Sequence, residues 1–132
     1  MGEVVHVSCG VCKKIWRCMT GSGLAYAYRE KIVAAFQEKE WEKVTALMAM
    51  SEFPAYDFKY RLAACGNWHN VVSVPTLALS ETDKPYVGLC PLCGERTEEP
   101  AAEDNLEEWS QKTACPACSS RRLEMTEIGN WD

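Results

Sequence analysis

The period of apolar residues changes several times along the chain, and each change predicts an element. Residues 2 to 8 (Gly-Glu-Val-Val-His-Val-Ser) alternate loosely, as a strand does, and lead into Cys9. Gly21-Ser22-Gly23 then breaks the chain. Tyr28, Ile32, Ala35 and Phe36 recur at helical spacing, and Trp41, Val44, Leu47 and Met48 do so again after Glu38-Lys39-Glu40. Two amphipathic helices over about 24–37 and 39–51 follow, the second ended by Pro54. Their large residues Tyr26, Tyr28, Trp41, Met48, Met50 and Phe53 are expected mostly in the core, and any the sheet leaves uncovered would form a partner groove.

Tyr56, Phe58, Tyr60 and Leu62 alternate with Asp57, Lys59 and Arg61, the period of a half-buried strand running into Cys65. Val71 to Leu79 predicts a neighbouring strand, which Pro75 should place at an edge or bend. Pro100 followed by Glu103, Asp104, Leu106 and Trp109 predicts a short helix whose acidic first turn complements the helix dipole. Residues 122–128 predict the last strand. The fold class is α+β.

At 132 residues, 47% hydrophobic and 25% charged, the chain has room for one folded domain or two very small ones. No stretch approaches the roughly 18 apolar residues of a membrane span. The start, Met1-Gly-Glu-Val-Val-His, lacks a signal peptide's basic region and apolar run, which predicts a cytoplasmic protein. Eight cysteines in that setting point to metal ligation or redox chemistry rather than a disulfide scaffold.

The net charge of −5 is unevenly spread. Residues 1 to 70 hold nine basic and seven acidic side chains, residues 71 to 132 five and twelve. Glu95, Glu98, Glu99, Glu103, Asp104, Glu107 and Glu108 supply most of the acidic excess. A protein that gripped nucleic acid along its length would be basic, because phosphate neutralisation supplies most of that affinity. The one local exception is Lys13, Lys14, Trp16 and Arg17, a small basic and aromatic patch suited to weak single-strand binding.

Six cysteines form three C-x2-C pairs, Cys9/Cys12, Cys90/Cys93 and Cys115/Cys118. Two thiolates so spaced can turn around one ion at about 2.3 Å each, and two such turns complete the tetrahedron zinc favours. In Cys90-Pro91-Leu92-Cys93-Gly94 and Cys115-Pro116-Ala117-Cys118-Ser119, proline fixes φ after the first thiol and a small residue after the second permits a tight turn. These two segments resemble the knuckles of a zinc ribbon, over about residues 85 to 128. The resemblance implies a closed structural zinc site made by Cys90, Cys93, Cys115 and Cys118.

The first pair needs two more ligands, from His6, Cys18, Cys65 and His69. Cys65-Gly66-Asn67-Trp68-His69 offers a C-x3-H pair, so the favoured set is Cys9, Cys12, Cys65 and His69. Cys18 competes for a place, with a buried unliganded thiol as its plainer role, and His6 reads as a strand residue. The expectation is two zinc ions and two ribbon-like units with helical insertions, divided as 1–80 and 81–132. The expected function is a non-enzymatic, zinc-stabilised adaptor or regulator that binds another protein. The alternative is a ribbon that binds single-stranded nucleic acid, and a thiol redox enzyme is a weaker third.

Overall fold

The computed structural model describes residues 2–22, 29–49, 56–79, 85–98, 100–101 and 106–131. Tyr26, Tyr28, Met50, Phe53, Pro54, Glu99, Glu103 and Asp104, with the ends of the two expected helices, lie outside the described residues. Among the described residues the elements in chain order are β1 (Gly2–Cys9), β2 (Ile15–Thr20), α1 (Arg29–Ala35), a 3-10 turn (Glu38–Glu40), α2 (Trp41–Ala49), β3 (Tyr56–Cys65), β4 (Asn70–Leu79), β5 (Tyr86–Val87), α3 (Leu106–Lys112) and β6 (Leu123–Trp131). They form two three-stranded antiparallel sheets, ordered β2-β1-β6 and β3-β4-β5, with the helices beside them. The α+β expectation holds.

The alternation in β2 buries Trp16, Cys18 and Thr20 and exposes Ile15, Arg17 and Met19, so one face of that strand is committed to the interior. That face meets the second sheet: Val5, Val7, Trp16 and Cys18 pack with Leu62 and Val71, together with Trp109 and Leu123. Polar bonds stitch the same seam. Gly21 and Tyr60 exchange backbone hydrogen bonds of 3.0 and 2.8 Å, and the Ser73 hydroxyl joins the Met19 backbone at 2.8 Å. A second core places Ile32 of α1, Phe36 just after it, and Val44 and Met48 of α2 against Phe58 and Leu77.

Pro75 lies in a central strand, not at an edge. Its partner Tyr60 turns its N–H and C=O toward Gly21, so the backbone of Pro75 points the other way, toward β5. The missing donor therefore faces the end of a two-residue strand, where only one ladder bond is lost. The Pro75 carbonyl accepts from Gly88 at 2.8 Å, and a Cβ at Gly88 would sit 2.7 Å from Pro75 Cγ and 2.9 Å from Phe36 Cδ1. Only glycine fits there.

Strand pairing does not follow the expected division at residue 80. β6 runs along the whole of β1, from Gly2 opposite Trp131 to Cys9 opposite Leu123, and β5 pairs with β4.

Candidate metal centres

The three C-x2-C segments fold alike. In each, the N–H of the first cysteine donates to the carbonyl five residues on: Cys9 to Lys14 (3.0 Å), Cys90 to Glu95 (2.8 Å) and Cys115 to Ser120 (2.7 Å). Its own carbonyl accepts from the residue four places on: Lys13 (3.0 Å), Gly94 (2.9 Å) and Ser119 (2.7 Å). That fourth residue is left-handed each time, with φ of 65°, 74° and 66°. The turn aims the following N–H groups at the first sulfur, as Val11 and Cys12 do toward Cys9 Sγ at 3.4 and 3.5 Å and Leu92 toward Cys90 Sγ at 3.4 Å. Such donors favour a thiolate.

Strand pairing decides which knuckles meet. Because Cys9 ends β1 opposite Leu123 at the start of β6, the first knuckle closes on the one just before β6. Cys9, Cys12, Cys115 and Cys118 therefore form one group, their sulfurs all within 4.8 Å of one another. In the other sheet, Cys65 ends β3 opposite Asn70, and β5 runs antiparallel to β4 with Thr76 opposite Val87. Continuing that register past Gly88 carries the Cys90 knuckle to the end of β3, where Cys65, Cys90 and Cys93 form the second group.

Both groups fit a tetrahedral dication. Zinc–sulfur bonds of about 2.3 Å imply sulfur–sulfur separations near 3.8 Å. The separations are 3.5 Å for Cys9–Cys118, 3.8 Å for Cys12–Cys115 and 3.5 Å for Cys65–Cys93, and all eight thiols are free of disulfides. In the first group, Cys9 and Cys115 are buried while Cys12 and Cys118 reach the surface. The Ser120 hydroxyl, 3.2 Å from Cys9 Sγ and 3.1 Å from Cys118 Sγ, is the main cause that brings the Cys9 thiol down to about 5, and it lowers Cys118 as well. Burial pushes Cys90 and Cys115 up to about 11, whereas the Glu95 N–H leads in lowering Cys93. Each group thus combines a buried thiol with one that ionises easily, so loading the buried sulfur with a cation releases a proton.

The 3-10 turn ahead of α2 holds the second group in place. Gln37 Nε2 donates to the Cys90 carbonyl at 3.3 Å and Lys39 Nζ to that of Gly94 at 2.7 Å. Buried Glu40 accepts from the Tyr86 hydroxyl (2.6 Å), the Leu89 N–H (3.2 Å) and the Gln37 N–H (3.2 Å).

Compared with known proteins, the chain matches no family model, no curated protein and no solved structure. The metal reading therefore stands on the cysteine geometry, which is compatible with a zinc ribbon. The expected partnerships are corrected. Cys90/Cys93 and Cys115/Cys118 do not share a site, and Cys9/Cys12 do not meet Cys65, because β1 pairs with β6 and β4 with β5. His69 joins neither group: its Nδ1 is bonded to the Pro116 carbonyl at 2.9 Å. Cys18 also joins neither. It is 4% exposed with Sγ turned to the Val71 carbonyl at 3.7 Å, and burial pushes it up to about 11.

Trp16, the aromatic residue of the basic patch, is 8% exposed and belongs to the core. Its indole N–H donates to Asn70 Oδ1 at 3.0 Å, and Lys14 Nζ lies 5.9 Å from the ring centroid. Lys13 Nζ is bonded to the Gly10 carbonyl at 2.8 Å, and Arg17 is exposed on β2 opposite His6. Ser120, whose hydroxyl sits beside Cys9 and Cys118, is the functional residue the sequence reading misses. The three knuckles and the Cys65 turn share a left-handed residue four places after the first cysteine.

Proposed function

We propose that the protein is a non-enzymatic, zinc-stabilised adaptor that binds another protein through its helical segment. Soft thiolates at tetrahedral spacing favour zinc among the common divalent ions, one ion at each cysteine group. The observation that carries the protein-binding reading is an apolar groove of about 350 Å3 between α1 and α2, lined by Val33, Ala34, Trp41 and Thr45 and flanked by Arg29 and Glu30. Trp41 is 41% exposed there, held by its indole N–H to the Phe36 carbonyl at 2.9 Å. A fixed, half-exposed tryptophan is the kind of anchor on which interfaces concentrate binding energy.

Charge selects the partner's chemistry. Four thiolates around one dication leave −2 and three around another leave −1, so the formal −5 of the chain becomes −8 when both groups are loaded. Such a field favours a basic protein surface with an apolar side chain for the groove.

Ala34 and Thr45 are exposed, so Ala34→Glu with Thr45→Glu charges the groove without disturbing the core. The double variant should lose its partner in a native pull-down while zinc content and melting stay unchanged. Submicromolar single-strand binding, lost on replacing Lys13, Lys14 and Arg17 by alanine, would overturn the adaptor in favour of nucleic acid. Affinity no better than about 10⁻⁴ M at physiological salt is expected.

A further inference from the structure

The turn after β3 has the frame of a fourth knuckle. Cys65 is paired with Asn70 five residues on, and His69, four residues on, has φ of 55°. Cys9, Cys90 and Cys115 likewise meet the residue five places on, Lys14, Glu95 and Ser120, and are followed four places on by the left-handed Lys13, Gly94 and Ser119. In those three knuckles the residue three places after the first cysteine is the second cysteine. In the Cys65 turn it is Trp68.

We propose that Cys65, Cys90 and Cys93 hold a divalent metal ion with one exchangeable coordination position, at the place vacated by Trp68, and that an external thiolate fills it. Among the described residues no fourth cysteine, histidine or carboxylate joins these three sulfurs. The surroundings are open where the fourth donor belongs. Trp68 is 57% exposed and Leu92 48% exposed, and a Cβ added at Gly66 would meet nothing within 4 Å. The Asn67 amide lies 3.8 Å from Cys93 Sγ, on the same rim. The first group, by contrast, has four sulfurs and no vacancy.

A soft ion with three thiolates takes a fourth soft donor readily, and exposed Trp68 and Leu92 give an incoming ligand apolar surface. The thiol binds as thiolate, displacing solvent and releasing its proton to bulk, with no change of oxidation state. The inference rests on metal binding at the second group and goes beyond the adaptor reading, which needs no open position.

The test uses the full chain loaded with two equivalents of cobalt(II), whose visible bands report the donor set of each ion. Adding a small thiol such as glutathione should shift the bands of one ion of the two. Trp68→Cys, at an exposed position, should abolish that response and slow loss of the second ion to a chelator by at least the roughly 10–100-fold that a supporting outer-shell group is worth. A wild-type spectrum indifferent to thiol overturns the open position, as does a Trp68→Cys protein that still responds. Binding of a single ion, kept in Cys90→Ser and lost in Cys115→Ser, overturns the inference while leaving the first metal centre intact. Gel filtration should show a monomer before and after the thiol is added, because Cys18, the one cysteine outside both groups, is buried and leaves a second copy no free thiolate to donate; a dimer that dissociates on adding glutathione overturns the small-thiol reading.

Discussion

His69 donates its Nδ1 proton to the Pro116 carbonyl across 2.9 Å, and this one hydrogen bond joins the turn after Cys65 to the knuckle of Cys115 and Cys118. The carbonyl can only accept, so the proton resides on Nδ1. The two cysteine groups, drawn from different sheets, are thereby linked through a residue that belongs to neither.

Replacing His69 should therefore leave both metals in place. His69→Gly removes one exposed hydrogen bond, worth about 1 kcal/mol, and relieves a left-handed backbone that glycine adopts freely. Near-neutral melting with two ions retained is expected by calorimetry and elemental analysis. Loss of one ion would make the histidine a ligand after all.

The partnerships are separable by stoichiometry. Cys115→Ser should lose the ion of the first group and Cys90→Ser that of the second, because no sulfur is shared. The double variant Cys90→Ser/Cys115→Ser should then hold none. Had these cysteines belonged to one site, as their matching C-P-x-C motifs suggested, the double variant would keep one ion. Chelation should unfold structure as well as strip metal, since a structural zinc supplies on the order of 10 kcal/mol to a small unit.

What was legible in the chain was local. The C-x2-C spacings, the helical repeats around Ile32 and Val44 and the alternation through Phe58 and Leu62 each express a period set by neighbouring residues, and each appears in the structure. Partner choice among knuckles is not local. It depends on β6, from the other end of the chain, lying along β1, a pairing that nothing near Cys9 or Cys115 encodes. The short strands were missed for a related reason. Ile15–Thr20 alternates too briefly, with the charged Arg17 among apolar residues, and Tyr86–Val87 offers only two residues. The C-x3-H spacing misled because His69 serves the backbone, as the left-handed residue that ends the turn.

Glu40 gives a test of how the helical segment positions the second group. Its buried carboxylate accepts from Tyr86, Leu89 and Gln37, and the hydrogen bond and charge of Glu40 add to burial in raising the Tyr86 hydroxyl to about 12. Glu40→Ala strands three donors and should cost about 1–3 kcal/mol or more, read as a lower urea midpoint. It should also speed metal loss from the second group, since the same turn carries the Gln37 and Lys39 bonds to the Cys90 knuckle. Lys112→Ala, which breaks the exposed pair with Glu108, is the control and should change stability by under about 1 kcal/mol.

Cys18 predicts a loss of stability in alkali with a definite sign. Burial raises its thiol from the ordinary 9.0 to about 11, so the folded state holds the proton more tightly than the unfolded chain. The contribution is therefore fully present below pH 9 and lost as pH rises toward 11, and the difference is worth on the order of 2 to 3 kcal/mol. Cys18→Ala removes this titration at the cost of a small cavity among Val5, Val7, Trp16 and Val71. Its urea midpoint should lie below that of the wild type at pH 8, and the gap should narrow or reverse by pH 10.5. Tyr86 titrates in both proteins, so only the difference between them reports on Cys18. A gap that stays constant from pH 8 to 10.5 would mean that the Cys18 thiol keeps an ordinary affinity for its proton.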